Sequence, residues 1–370
     1  MVSSRLLEVS STGFGEAERV DMTTFRQVED LAAGIEFLVV VKSQDQEERR
    51  RRMLKSLKTG SIGRVSERPV AEGLFLRGSF QAGVFTASVD RAFREPRHIV
   101  AHGDGGFLLT EINKLLHIDQ NGRTLREYTY PYFSYLHSVS LSSDGSSALL
   151  ASSGYDSLVE LDLASGDINW HWFAWEHGFN PDEEGVWLAA TPERQRAYEA
   201  EGKRSMVIHP DAFGEQGLLV ARRSAHPNCA VFDGEGDETV LCSIGAHGEI
   251  YRITRETGAA KKLIDWLSPM PHGLKAHNGQ WIVTNTTKGE FWVLDQSFAP
   301  VQCYVFSSLG GKLEGCGDSE WLQQVIPISA SRYSAIDSNR SIFCFDLDDR
   351  VYTAYQIDRN YCVQDILPLV

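Results

Sequence analysis

The sequence predicts an all-β fold, a β-propeller of six blades with seven as the alternative. Two repeats and their spacing predict it. One segment recurs six times, beginning HIVAHGDG at His98, HSVSLSSDG at His137, HPNCAVFDG at His226, HGLKAHNG at His272, QQVIPIS at Gln323 and QDILPLV at Gln364. A turn pair follows in the first four copies, at Asp104-Gly105, Asp144-Gly145, Asp233-Gly234 and Asn278-Gly279. Further along each copy comes a strand ending in Leu-Asp or its equivalent, marked by Asp119, Asp162, Thr254, Asp295 and Asp346. These markers step by 43, 92, 41 and 51 residues, so the second step hides an insertion. A period in the forties, with short alternating strands and Gly, Asp or Asn turns, is the pattern of four-stranded blades around a central channel. Each blade buries its faces only against its neighbours, which is why such units come as a closed array.

In chain order, two short helices are expected in the N-terminal part, over Thr23–Ala33 and Gln44–Leu57. Strands over Ile35–Lys42, Gly73–Phe80 and Gly83–Val89 lack an inner partner, and Cys362–Val370 is an inner strand that stops abruptly. Pairing the two sets makes one blade from both ends of the chain and closes the ring without an exposed sheet edge. The other blades fall at 97–134, 135–175, 224–267, 270–307 and 320–358, and residues 174–223 form a lid insertion with a helix over Pro192–Gly202. The whole chain, 1–370, then reads as a single domain.

The formal charge of −14 speaks against nucleic acid, which needs a basic stripe. The basic run Arg49–Arg52 follows Glu47 and Glu48 and reads as a solvated helix face. No stretch approaches the ~20 apolar residues of a membrane span, and the N-terminus lacks a signal-type segment. The six cysteines show no CxxC spacing and read as reduced core thiols. A cytoplasmic protein acting on a small molecule, with neither nucleic acid nor membrane as partner, is the expectation.

The first position of the repeat carries the chemistry. In a propeller the innermost strand of every blade lines the channel, so side chains at equivalent positions meet near the axis. Four histidines there, His98, His137, His226 and His272, are expected to hold one transition metal, because neutral imidazoles suit iron, zinc and copper, whereas calcium takes carboxylates. His102 is the substitute for His98. The competing reading is a purely structural ring, with each histidine bonding blade to blade. Ferrous iron, favoured slightly, implies an oxygenase or oxidase; zinc or another redox-inert metal implies a lyase, isomerase or hydrolase; a non-catalytic binding platform is the third reading.

The insertion opens with the aromatic run WHWFAWEHGFNPDEEGVW. A long loop of this composition argues for a functional lid rather than disorder. Trp170, Trp172, Phe173, Trp175, Phe179 and Trp187 are expected to roof a pocket for an apolar or aromatic substrate, with Gln323 and Gln364 on its wall. His171 and His177 are the candidate acid/base groups.

The segment SVSLSSDGSSALLASSGYDSLVELDLASGDINWHW, with its DG turn, serine-rich middle strand and LD-x-x-[ST]-G before a tryptophan, resembles a blade of the arylsulfotransferase and PQQ-type propeller group. That resemblance covers about one blade in six. It implies blade geometry, and for arylsulfotransferases a histidine nucleophile in the channel. The ring of four histidines under a lid is similar in architecture to the carotenoid cleavage oxygenases, which implies Fe(II) on the axis, although those propellers have seven blades. Walker A, HExxH, GxSxG and dinucleotide-type GxGxxG motifs are absent, and the Gly-rich stretch Ser307–Ser319 reads as an interblade loop.

Overall fold

The computed structural model describes residues 17–59, 69–103, 105–234, 238–313, 316 and 318–369, with side chains undescribed at 53–59 and 221. Asp104 of the first turn pair, residues 314, 315 and 317 of the Gly-rich loop, and Val370 lie outside them. Six antiparallel sheets surround an axis, each running outward from its inner strand. The inner strands are Ile99–Ala101, Leu136–Leu141, Pro227–Phe232, His272–His277, Leu322–Pro327 and Val363–Leu369, blades 1 to 6 in that order. Each inner strand touches the next, and the sixth touches the first.

Closure is as the sequence predicts. Val363–Leu369 pairs antiparallel with Glu36–Val41, which pairs with Glu72–Gln81 and then Val84–Arg94. The strand Glu-Phe-Leu-Val-Val-Val at 36–41 has no polar face because both sides are covered. Phe37, Val39 and Val41 point into the core shared with blade 5, while Leu38 and Val40 point into the core shared with blade 1. That is the period-two alternation of a strand, with both faces buried. Among the described residues six such cores occur, one at each blade interface, and a seventh packs the insertion onto Tyr155 of blade 2.

One expected helix is absent. In place of a helix over Thr23–Ala33, the chain makes a short strand Glu18–Asp21, a single 3-10 turn Met22–Thr24 and a strand Arg26–Gln27. Asp21 accepts from the Thr23 backbone N–H, and Phe25 is already extended. The first strand pairs parallel with the outer strand Pro300–Val305 of blade 4, and the second with Val351–Tyr355 of blade 5. Met22 and Phe25 are buried in the core between those blades. Open ladder groups on two outer edges, together with two apolar anchors, outweigh any helical preference here. The second expected helix is present, at Gln46–Thr59.

A belt of hydrogen bonds ties all six interfaces near the axis. Asp365 Oδ2 accepts from Ile99 N at 2.9 Å, His98 Nδ1 from Val139 N at 3.4 Å, and Ser138 Oγ from Ala230 N at 3.0 Å. Asn228 Nδ2 donates to Pro271 O at 3.2 Å, Thr284 Oγ1 to Gln323 O at 3.5 Å, and Gln324 Nε2 to Asp365 Oδ1 at 3.1 Å. All six cysteines are buried and unpaired. Among the described residues no helix is long and apolar enough to cross a membrane.

Candidate functional site

Two insertions stand at the end of the propeller where the inner strands begin. One is the connection from blade 2 to blade 3, residues 174–226; the other joins the second and third strands of blade 6 and contains the helix Gln46–Thr59. Loops between second and third strands reach the same end, bringing Ser153, Asp156, Thr286 and Ser338 there.

Three of the four predicted histidines converge at this end. The His137 ring lies 5.2 Å from that of His226 and 6.5 Å from that of His272, centroid to centroid. The backbone aims two of them alike. Tyr135 and Met270, each two residues before its histidine, adopt positive φ of 53° and 67°. Their carbonyls then meet His137 Nδ1 at 3.1 Å and His272 Nδ1 at 2.8 Å. Left-handed backbone costs a bulky L-residue about 1–2 kcal/mol, and such strain persists where the surroundings fix a geometry. Ser153 Oγ, which donates to Pro227 O, lies 2.7 Å from His137 Nδ1, and Thr286 Oγ1 lies 3.0 Å from His272 Nδ1. A carbonyl only accepts, so both Nδ1 atoms carry the proton and both Nε2 atoms present a lone pair.

His226 has the opposite tautomer. Its Nδ1 lies 3.3 Å from Arg223 Nη1, and a guanidinium only donates, so the proton sits on Nε2. Asp156 fixes the segment leading into it. This carboxylate accepts from the backbone N–H groups of Ser224 at 2.6 Å, Ala225 at 3.2 Å and His226 at 2.7 Å. The fourth histidine stands apart. His98 Nδ1 accepts from Val139 N, and its Nε2 faces Asp365 Oδ2 at 3.6 Å. It takes the blade-to-blade role that the structural reading assigned to the whole ring. His102, its proposed substitute, packs on His117 at 4.8 Å.

Sequence reasoning missed the cations. Arg97, without solvent exposure, places its guanidinium 4.0 Å from the Tyr135 ring centroid and Nη1 3.5 Å from His137 Nε2. Arg223, equally buried, approaches the same ring to 4.5 Å and donates through Nε to Leu218 O at 3.0 Å. Lys42 lies 5.9 Å from that ring. Arg49 stacks on Trp321 at 5.2 Å and donates to Gln323 Oε1 at 3.4 Å, so the start of the basic run faces the blades and only Arg51 and Arg52 are exposed. The available signal was positional: Arg97 and Arg223 sit one and three residues before repeat histidines, and Tyr135 two before.

Burial, joined by the neighbouring cations, keeps the imidazoles neutral. The pKa values of His137 and His226 fall well below the ordinary value through desolvation first, then Arg97 and Arg223 respectively. Desolvation, with Arg49 and Lys42 adding to it, brings that of His272 down to about 3. The unfolded chain therefore takes protons below pH 6.5 that the folded ring refuses, and this contribution to stability is lost as pH falls from 6.5 towards 3. Melting temperature should fall more steeply between pH 6.5 and pH 4 in the wild type than in His272→Gln. Parallel slopes in a thermal-denaturation series would show that His272 is not the group refusing the proton.

The predicted lid aromatics go elsewhere. Trp172, Ala174 and Phe179 are buried in the core between blades 2 and 3, where Trp172 Nε1 donates to Gly258 O at 3.0 Å. Trp170 packs beside them and donates to Arg255 O at 3.0 Å. Trp175 and Phe173 stack in the insertion's own core with Leu188 and Ile208, and Trp187 packs on Tyr198 at 5.0 Å. His171, bonded to the Tyr130 hydroxyl at 3.1 Å, stands on the outermost strand of blade 2, and His177 stacks on Trp172. Neither joins the axial cluster. The run WHWF at 170–173 thus belongs to an outer strand whose Trp170 and Trp172 cover blade 3, and Trp175 follows it into the insertion's own core. Of the predicted wall, Gln323 is buried beside Trp321 and Arg49, and Gln364 supplies its carbonyl to Gln324. The insertion does reach the axis, through its last residues. Gly217, at φ +58°, comes so close to Gly154 O that a Cβ would lie 2.5 Å away, and this approach delivers Arg223.

The four histidines as a set do not fit one metal ion. His98 is turned to Asp365, His226 offers a protonated Nε2, and two guanidinium groups border the ring. Among the described residues no group of three or more His, Cys, Asp or Glu side chains is arranged to hold a metal ion.

No family model matches the chain, and no curated protein does. Its fold is similar to a protein of unknown function from Bacteroides caccae, at 13% identity over 90% of this chain and 98% of that one, with a TM-score of 0.53. A chain of a nidogen–laminin complex matches at 9% identity over 90% and 98%, also with a TM-score of 0.53. Virginiamycin B lyase from Staphylococcus aureus matches at 14% identity over 75% and 77%, with a TM-score of 0.44. At such identities likeness speaks of architecture alone. The chain is a six-bladed β-propeller.

Proposed function

We propose that the protein is an enzyme whose reaction centre is the axial cluster of His137, His226 and His272, acting on a small organic molecule. The observation that supports it is the pair of Nε2 lone pairs, on His137 and His272, held neutral by burial and oriented by strained backbone. Beside them His226 offers an Nε2 proton. Such a set acts on both sides of a proton transfer: His137 Nε2 takes a proton from the substrate, and the neutral His226, keeping its own proton, donates an Nε2–H hydrogen bond to the oxyanion that develops. Arg97 and Arg223 favour the negative charge that appears.

The test is loss of turnover without loss of fold. The wild type, incubated with a fractionated small-molecule extract, should consume a component seen by mass spectrometry. His137→Gln and His272→Gln should each lower that rate at least ~100-fold while unfolding cooperatively. Undiminished consumption by both variants would move the reaction away from the axis.

A transition-metal oxygenase or oxidase, with iron favoured over zinc or copper, is the second reading. It draws on the same lone pairs, since an Nδ1–H held by a carbonyl is also how metal-bound imidazoles are oriented. Metal analysis of the purified protein separates the two: about one equivalent of iron, lost in His137→Gln, supports the second.

A further inference from the structure

We propose that Arg97, with Lys42 and Arg223 around the same Tyr135 ring, forms a binding site for an oxyanion, the carboxylate, sulfate or phosphate group of a small organic molecule. The proposal deepens the reading of the axis as a reaction centre by naming what its substrate carries. It stands on geometry of its own.

Arg97 is fully buried, yet its Nε and Nη2 have no hydrogen-bond partner. Those two N–H groups form the side-on edge of a guanidinium, the fork that grips two oxygens of one oxyanion. Glu95 Oε1 lies 3.6 Å from Nη2, near enough to offset charge and too far to hydrogen-bond. Leaving a buried guanidinium so is costly, and a native structure answers such a cost with a bound ion, an ordered water, a ligand or a function.

The charge around the site has the matching sign. Lys42, Arg49, Arg97 and Arg223 all bear on the three imidazoles, against the carboxylates of Glu95 and of Asp156, the latter taken up by backbone N–H groups. In a chain of net charge −14, a group of four cations at one end of the axis, Arg97 and Arg223 buried and Lys42 and Arg49 half-buried, focuses anions there. An oxyanion in the fork lies next to His137, whose Nε2 is 3.5 Å from Arg97 Nη1. The His137 ring then stands beside the atoms bearing that group.

Binding of plain ions tests this on the full-length protein. Sulfate, phosphate and malonate, each titrated against chloride at constant ionic strength, should raise the melting temperature saturably, and calorimetry should give one site per chain. The order of the three affinities says which oxyanion the substrate carries. Arg97→Lys, which keeps the charge and removes the fork, should weaken binding at least tenfold, and Lys42→Gln should also weaken it should the Arg97 variant not fold. A shift no larger than that of chloride, or affinities unchanged in the variants that fold, would overturn the proposal. His137→Gln should keep the affinity. If it does and turnover nevertheless persists, the oxyanion site stands and the reaction-centre reading falls; if turnover is lost but no ion binds, the reverse holds.

Discussion

Deleting residues 364–370 is expected to leave either no soluble protein or one whose melting temperature lies more than about 10 °C below the wild type. The segment removed is most of the innermost strand of blade 6, paired along its length with Glu36–Val41. Ile366 would leave the core between blades 5 and 6, and Leu367 and Leu369 their places against the next one. Asp365 would cease to accept from Ile99 N and Gln324 Nε2, opening two of the six belt positions at once. Phe37, Leu38, Val39 and Val40 would then lie on an uncovered strand edge, a template for aggregation. A soluble truncation that melts with the wild type would show that blade 6 stands on its N-terminal strands alone.

Asp156→Ala should be the most damaging single substitution at the site, costing about 4 kcal/mol. Its carboxylate is buried without exposure and holds three consecutive backbone N–H groups, of Ser224, Ala225 and His226. Alanine orphans all three and must also adopt the left-handed conformation, φ 48° and ψ 45°, that aspartate tolerates better. The His226 imidazole and the Arg223 guanidinium would lose their register together, so ion binding at the axis should weaken alongside stability. Denaturant unfolding gives the first number and calorimetry with sulfate the second. Stability within about 1 kcal/mol of wild type would mean that the insertion, rather than Asp156, sets this segment.

The ring was legible because repetition is a statement about spacing, and spacing survives whatever the side chains do. His98, His137, His226 and His272 share a register, and the structure keeps that register while dividing its use: His137 meets the rings of His226 and His272, and His98 ties blade 1 to blade 2 and faces Asp365 of blade 6. A linear text cannot show that division, since it depends on whether a carboxylate such as Asp365 stands on the neighbouring blade beside a given ring. Arg97 and Arg223 were invisible for a related reason. Each precedes a repeat histidine by a different number of residues, so no common period points to them. Trp172 and Phe179 misled because an aromatic run reads alike whether it roofs a ligand or covers the next blade. The N-terminal strands were missed because a two-residue strand such as Arg26–Gln27 is made by the open edge it meets and carries no pattern of its own.

The belt fixes the calibre of the molecule. Every seam is stitched at the same level by a side chain of one blade and a group of the next, so no pair of blades parts without breaking its own stitch, and a neighbour cannot take up the slack. A solute must therefore enter along the bore, past whatever stands at its rim, and cannot slip in sideways by a breathing of the sheets. What stands at the rim is held differently: Arg223 is tethered by its own insertion, through Leu218 O and the contact of Gly217 with Gly154. The stitched ring sets a constant width, and the tethered segment is a part of the aperture able to change without unpicking it.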